Sequence, residues 1–399
     1  MSTLKKYTLG EVTESIFSGG TPATTNPNFW NGDLQWLSSG ETRNRYINET
    51  EKSITKEGAI NSSTRLALPD DVVIASAGQG FTRGQTSYSL IETYVNQSLI
   101  VLRANPSIIN SKFLFFNLSN RYQELRNLSD ANSSRGSLTT KLLKGLEIQL
   151  PNIEEQNKIA TILSSLDDKI ELNNQMNHTL ESMAQAIFKE WFVDFKFPGF
   201  DGELVDGLPK GWCKESIDER IVFLNGIALQ KFPMRSEDKD YLPVIKIREL
   251  RQGVTSSTDK ASINIPEKYI VYDGDILFSW SGTLEVVMWC NGKGALNQHL
   301  FKVSSENYPK WFYYFWIRQF LPLYQGIAAD KATTMGHIQR KHLKETLINV
   351  PDKLLFEKAN KILNPIFEQI KTNRLQVETL TDLRDSLLPK LMSGKIELK

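Results

Sequence analysis

A stripe stepped alternately by three and four runs through Leu163, Leu166, Ile170, Asn173, Asn177, Leu180, Ala184, Ile187 and Trp191, with asparagine at two places where an apolar residue belongs. Such a sustained heptad seam predicts a long helix packed lengthwise on another helix. Two hundred positions later the same steps give Leu363, Ile366, Ile370, Asn373, Val377, Leu380, Arg384, Leu387 and Leu391. Either stripe alone could be the core face of a helix in a large domain, but the shared register favours two equivalent stalks. A buried asparagine costs stability and penalises slipped alignments, because an asparagine set opposite an aliphatic side chain is left unsatisfied. Asn173 and Asn373 are therefore expected to be register marks.

The repetition extends upstream. "DDVVIASAGQG" (Asp70 to Gly80) has a counterpart in "DGDILFSWSGT" (Asp273 to Thr283), each an acidic turn, an apolar strand and a loop of small residues. "YVNQSLIVLRAN" answers "ALNQHLFKV", "LQWLSSGE" is matched more loosely by "LPVIKIRE", and "LEIQLPNIEEQNKIATIL" parallels "TLINVPDKLLFEKANKIL". Pro151 and Pro351 each close a strand just before a stalk, where a missing N–H costs nothing. Pro365 and Pro389 fall within the second stalk and are expected to kink or restart it. "FKFPGFDGELVDGLPKGW" (Phe195 to Trp212) is rich in Gly, Pro and Asp without a period and reads as a linker.

Each copy is thus short strands, an aromatic helix, a last strand and a long amphipathic helix, which places the chain in the α+β class. The expected layout is a globular domain over 1–150, a stalk over 151–196, a linker and second globular domain over 197–350, and a second stalk over 351–399. Two joined copies suggest a pseudo-two-fold molecule whose stalks pair antiparallel with the globular domains at opposite ends. About forty residues at about 1.5 Å each make a stalk roughly 60 Å long, the span of on the order of 18 base pairs of DNA.

Charge and composition narrow the chemistry. At 399 residues, 40% hydrophobic and 23% charged, the chain has ordinary globular composition. Its net charge of +1 lacks the excess needed to hold nucleic acid by charge alone, so a DNA ligand implies help from a partner. Residues 151–196 carry eight acids and four bases, which makes the first stalk a protein face rather than a DNA face. "WFYYFWIRQFLPLY" (Trp311 to Tyr324) is interrupted by Arg318 and Pro322 and is too short to span a bilayer; it reads as a buried aromatic helix. No apolar run follows the lysines of "MSTLKKYTLGEV", so no secretory signal is expected, and Cys213 and Cys290 are too few for a disulfide framework, so a reducing cytoplasm is expected.

A catalytic reading finds no groups to carry it. His178, His299, His337 and His342 lack metal-binding spacing. "GQGFTRGQTS" lacks the lysine of a phosphate-binding loop, and "NPNF" (Asn26 to Phe29) departs from the adenine methyltransferase motif and follows no glycine-rich cofactor loop. The pairs Asp70-Asp71 and Asp167-Asp168 are read as solvated carboxylates at a turn and on a helix surface.

The repeated domain, the "GDILFSWSGT…ALNQHLF" stretch and the "P…EEQNKIATILSSLDDKIELNN" and "LTDLRDSLLPKLMSGKI" helices together resemble the specificity subunit of type I restriction-modification enzymes, across essentially the whole chain. The resemblance implies two target recognition domains that each read half of a bipartite double-stranded DNA sequence. It also implies helices that set the spacer and dock two methyltransferase subunits, with an endonuclease/translocase subunit joining that core. S-adenosylmethionine, ATP and Mg would then belong to the partners, with no cofactor or metal in this chain. The competing expectation is a methyltransferase-binding scaffold or anti-restriction protein without useful DNA specificity.

Base readout needs paired donors or acceptors on loops held by a rigid sheet. The candidates in the first domain are Arg43 and Arg45, then Gln79, Thr82, Arg83 and Gln85 in the glycine loop, and Ser134 and Arg135 before the last strand. In the second they are Lys246, Arg248 and Arg251, then Ser281 and Thr283, and Thr333, Thr334 and His337. Asn96-Gln97 and Asn297-Gln298, shared by both copies, are read as fastening each domain's own loops.

Overall fold

The computed structural model describes residues 4–78, 80–132, 136–235, 237, 239–330 and 336–396. Both stalks are helices: Ile153–Phe188, continued by a π turn over Lys189–Val193, and Lys353–Met392. The residue after each proline caps the helix. Asn152 Oδ1 accepts from the Glu155 N–H at 2.9 Å, and Asp352 Oδ1 from the Leu354 and Leu355 N–H groups at 2.8 and 3.0 Å. The expected restart at Pro365 and Pro389 does not occur, since Lys353–Met392 runs through both. Each proline deletes one backbone rung, but the buried Leu363, Phe367, Leu388 and Leu391 on either side hold the helix against its neighbours.

The chain folds as two compact units, residues 1–168 with 381–399, and residues 169–380. The first unit has a five-stranded sheet in the order Thr13–Ser18, Leu99–Ala104, Val72–Ala75, Thr86–Ser89, Tyr46–Ile47, and a four-stranded sheet in the order Lys52–Ile54, Trp30–Leu37, Thr93–Val95, Arg65–Ala67. The second unit repeats the first four strands of the larger sheet, as Val222–Asn225, Leu300–Ser304, Ile276–Ser279, Val286–Met288, and the whole of the smaller one, as Lys260–Ala261, Leu242–Ile245, Gly294–Leu296, Ile270–Val271. In each second sheet a single pair is parallel, Trp36 opposite Tyr94 and Val244 opposite Ala295. Each unit also pairs its opening strand with the strand before its stalk, Lys5–Thr8 with Glu147–Leu150 and Cys213–Ser216 with Leu347–Val350. The sequence repeat is thus a repeat of topology, down to the loosely matched "LQWLSSGE" and "LPVIKIRE".

The stalks meet antiparallel within each unit. In the first, Leu163 shares a core with Leu388 and Leu391, and Asp167 bonds Arg384 at 2.8 Å. In the second, Asn173 Nδ2 donates to Gln376 Oε1 at 3.1 Å and Asn373 Nδ2 to Asn177 Oδ1 at 3.0 Å. Asn173 and Asn373 therefore bond different partners rather than each other. Every position of both predicted seams is buried or half-buried.

The aromatic helix differs between the copies. In the second unit Lys310–Asp330 is continuous and buries Trp311, Phe312, Tyr313, Tyr314, Phe315, Trp316 and Ile317. The first unit splits it into Ser111–Ser119, which buries Phe113, Phe115 and Phe116, and Tyr122–Asn132. The linker is more ordered than its composition suggests. Leu204–Val205 pairs with Leu208–Pro209 across Asp206 and Gly207, both at positive φ (52° and 76°), as a two-residue hairpin turn requires. Phe197 stacks on Trp212 with ring centroids 5.5 Å apart. No described helix is long and apolar enough to cross a membrane.

Candidate nucleic-acid interface

Three segments converge in each unit. In the first, Arg43 and Arg45 lie at and just after a short helix, Ser39–Arg43. This segment is tied to the glycine loop by Thr42 Oγ1 donating to Gln85 Oε1 (3.3 Å) and by Ser87 Oγ donating to the Asn44 carbonyl (2.7 Å). The third segment joins through the Gly136 carbonyl, which accepts from Arg83 at 2.9 Å, and through Leu138, whose N–H donates to the Ser76 carbonyl at 2.8 Å. In the second unit Arg251, on the helix Ile247–Gln252, pairs with Glu285 of the shorter loop at 3.4 Å. Ser281 bridges His337 through the backbone, and the Gly282 N–H donates to the Gly336 carbonyl at 2.9 Å. The sheets hold the same three loops together in both repeats, while the side chains on them differ.

A buried glutamate, which sequence reasoning missed, fixes the first loop of each trio. Glu41 accepts from the Ser38 and Glu51 N–H groups at 2.8 Å each, and Glu249 accepts from the Lys246 N–H at 3.2 Å and from Thr258 and Arg248. Both close the matched segments "LQWLSSGE" and "LPVIKIRE", so the repeat itself was the available signal. Asn96 and Asn297 do fasten local turns, their Oδ1 atoms accepting from the Ser98 and His299 N–H groups at 3.0 and 3.2 Å.

Two candidate readers of the first domain are committed elsewhere. Arg45 donates to Asp167 through Nε (3.3 Å) and Nη2 (3.0 Å) and lies over the Phe115 ring, so it clamps the domain to its stalk while staying half-buried. Asp167 also accepts from Tyr46 (2.8 Å) and Arg384 (2.8 Å) and is buried, contrary to its reading as a solvated carboxylate. Burial first, and the Asp167 charge second, push the Tyr46 phenol far above its ordinary range and keep it a donor. Asp71 is likewise buried, with Arg103 bound to it bidentately at 2.9 and 2.7 Å. Arg83 is buried against Gly136 and Asp130 and anchors the loop from inside.

Other candidates stay on the surface. Arg43, Lys246, Arg248 and Arg251 have partly or largely exposed side chains held by Glu51, Asp259, Glu249 and Glu285. The pairs with Glu51, Asp259 and Glu285 contribute little to stability, so Arg43, Lys246 and Arg251 can exchange partners for a phosphate or a base edge, whereas Arg248 is held by the buried Glu249. The Lys246 ammonium holds the Asp259 carboxyl below its usual range, first by hydrogen bonding and then by charge. Thr283 is exposed, whereas Ser281 is buried with its hydroxyl 3.0 Å from His299 Nδ1, and Thr82 and Gln85 are half-buried. His337 packs edge-on to Trp280. Gln79, Ser134, Arg135, Thr333 and Thr334 lie outside the described residues.

A second acidic hub ties stalks to globular domain in the second unit. Glu181 accepts from Arg374 at 2.5 Å and from Arg318 at 3.0 Å. Asp167 plays this part in the first unit, with different partners.

Comparison with known proteins bears on what this arrangement is for. Residues 1–182 and 209–379 match the family described as type I restriction modification DNA specificity domain. The chain is 26% identical over 404 residues to the MjaIX type I restriction enzyme specificity subunit of Methanocaldococcus jannaschii, covering 96% of this chain and 91% of the relative. It is 26% identical over 471 residues to the HindI specificity subunit of Haemophilus influenzae, covering 99% and 100%. The crystal structure of the type I restriction-modification S subunit from M. genitalium superposes with a TM-score of 0.63 at 15% identity, over 100% of this chain and 97% of that one, and so shares its fold. Through both of its repeats, the chain belongs to the type I restriction-modification DNA specificity family.

Proposed function

We propose that each globular domain reads one half of a bipartite sequence in double-stranded DNA, and that the paired stalks hold the two readings at a fixed spacer. The observation that carries this is the trio of loops brought together at equivalent places in both repeats and furnished with different side chains in each, as two readers of unlike half-sites require. A docking scaffold that reads no DNA would have no use for two such sets of loops. The chain performs no chemistry of its own. It directs methyltransferase subunits, which bring S-adenosylmethionine, and an endonuclease/translocase subunit, which brings ATP and Mg.

Docking of a methyltransferase is supported by a second apolar face on the first stalk. Leu172, Met176 and Met183 lie at heptad spacing and are 48%, 37% and 50% exposed. Two glutamates there, in L172E/M176E, are expected to change the stability of the isolated chain by no more than about 0.5 kcal/mol, while cutting co-purification of the methyltransferase at least tenfold. Undiminished co-purification would remove this face from the docking surface.

The function itself is tested by base-resolved sequencing of N6-methyladenine in DNA from cells expressing the chain with its methyltransferase, beside cells lacking the chain. A new motif of two defined halves and one fixed gap is expected. An assembled complex that leaves no motif would overturn sequence recognition.

A further inference from the structure

The glycine loop of the first unit carries one side chain that the recognition reading has not used. Phe81 is 79% exposed, and yet the backbone beneath it is held firmly. Tyr122 Oη donates to the Phe81 carbonyl at 2.9 Å, Arg126 donates to the neighbouring Gly80 carbonyl and to Tyr122 Oη, and Arg83 is pinned by Asp130 and Gly136. Tyr122, Arg126 and Asp130 stand at i, i+4 and i+8 on the helix Tyr122–Asn132, so one helical face is given over to bracing this loop. Gly78 and Gly80 adopt φ of 125° and 70°, which aims the chain outward, and a Cβ at Gly80 would meet nothing within 4 Å. The loop joins Val72–Ala75 to Thr86–Ser89. Its counterpart between Ile276–Ser279 and Val286–Met288 is shorter and turns Leu284 into the core at 2% exposure.

An exposed phenyl ring on a mobile loop would mean little. On a braced loop it is a rigid apolar probe whose ordering cost has been met before any partner arrives. A phenyl ring neither donates nor accepts, so it is blind to the hydrogen-bonding code of base edges. The one apolar group on a major-groove edge is the C5-methyl of thymine. Resting on the proposed recognition of DNA, we infer that Phe81 is a specificity residue of the first domain and reads a thymine methyl in its half-site.

The test uses the full chain with its methyltransferase. The wild type defines the bipartite motif, and F81A is then mapped in the same way. The expected result is that one A·T position in one half becomes degenerate, while the other half and the spacer are unchanged. On a duplex with deoxyuridine in place of that thymine, which removes only the methyl group, the wild-type methylation rate should fall about tenfold and the F81A rate should not fall further. Three outcomes overturn the inference alone: a wild-type motif that F81A reproduces, a uridine penalty that both proteins share, or a Phe81-dependent rise in 2-aminopurine fluorescence beside the position, which would make the ring an unstacking wedge. An assembled wild-type complex without any motif overturns the recognition reading and this inference with it.

Discussion

Replacing Asp167 with alanine is expected to destabilise the unit formed by residues 1–168 and 381–399 by about 3–5 kcal/mol, the cost of stranding buried charge. In a unit of this size that lowers the melting temperature by on the order of 10 °C. The carboxylate is 2% exposed and is the common acceptor for Arg45, Tyr46 and Arg384, the last with a side chain only 9% exposed. Without it, the buried Arg384 guanidinium is stranded, and the half-buried Arg45 and Tyr46 lose their shared acceptor. Removing donor and acceptor together in D167L/R384M should recover much of the loss, because an apolar pair of similar volume often matches a buried ion pair. Chemical denaturation of the wild type, D167L, R384M and D167L/R384M gives the coupling directly. A loss below about 1 kcal/mol for D167A would mean that the hub is hydrated and contributes little.

The second large effect falls on spacing. Asn373 is 2% exposed, donates to Asn177 Oδ1 at 3.0 Å and accepts from Gln369 at 2.7 Å. Changing Asn177 alone to leucine should cost about 1–3 kcal/mol, because the Asn373 amide then loses its acceptor in the seam. Changing both in N177L/N373L should restore or raise stability while admitting slipped alignments. A slip of one heptad moves a helix by about 10 Å, or roughly three base pairs of DNA. Methylation mapped in cells carrying the double variant should accordingly show a second spacer class, absent from the wild type. A single, unchanged spacer would count against the stalks as the ruler.

The long-period features were legible in the sequence because many residues speak for each of them. Two heptad seams, a repeated strand order and a repeated proline fixed the α+β class and both stalks. The loops were legible only in outline, because the role of a loop side chain depends on partners far away in the chain. Arg45 looks like a reader until Asp167 arrives on another element, and Arg83 until Asp130 and Gly136 enclose it. The carboxylates of Asp71 and Asp167 were misjudged for the same reason, since pairing with Arg103 or Arg384 is invisible to local composition. Phe81 escaped notice because a search for hydrogen-bonding readers passes over a ring that has none to offer. Pro365 shows the opposite error, a strong local rule outweighed by burial on both sides.

The make-up of the first unit has a consequence for synthesis on the ribosome. Leu388 and Leu391 belong to the same core as Leu9, Phe113 and Leu163, and Arg384 completes the bonding of Asp167. The unit that residues 1–168 begin is thus finished by residues 381–399, after all of 169–380 has been made. At roughly 5–20 residues per second, the nascent chain spends on the order of 10–40 s with that apolar surface uncovered. Over that interval the uncovered apolar surface is open to chaperones and proteases, and slower elongation is expected to lower the yield of folded chain.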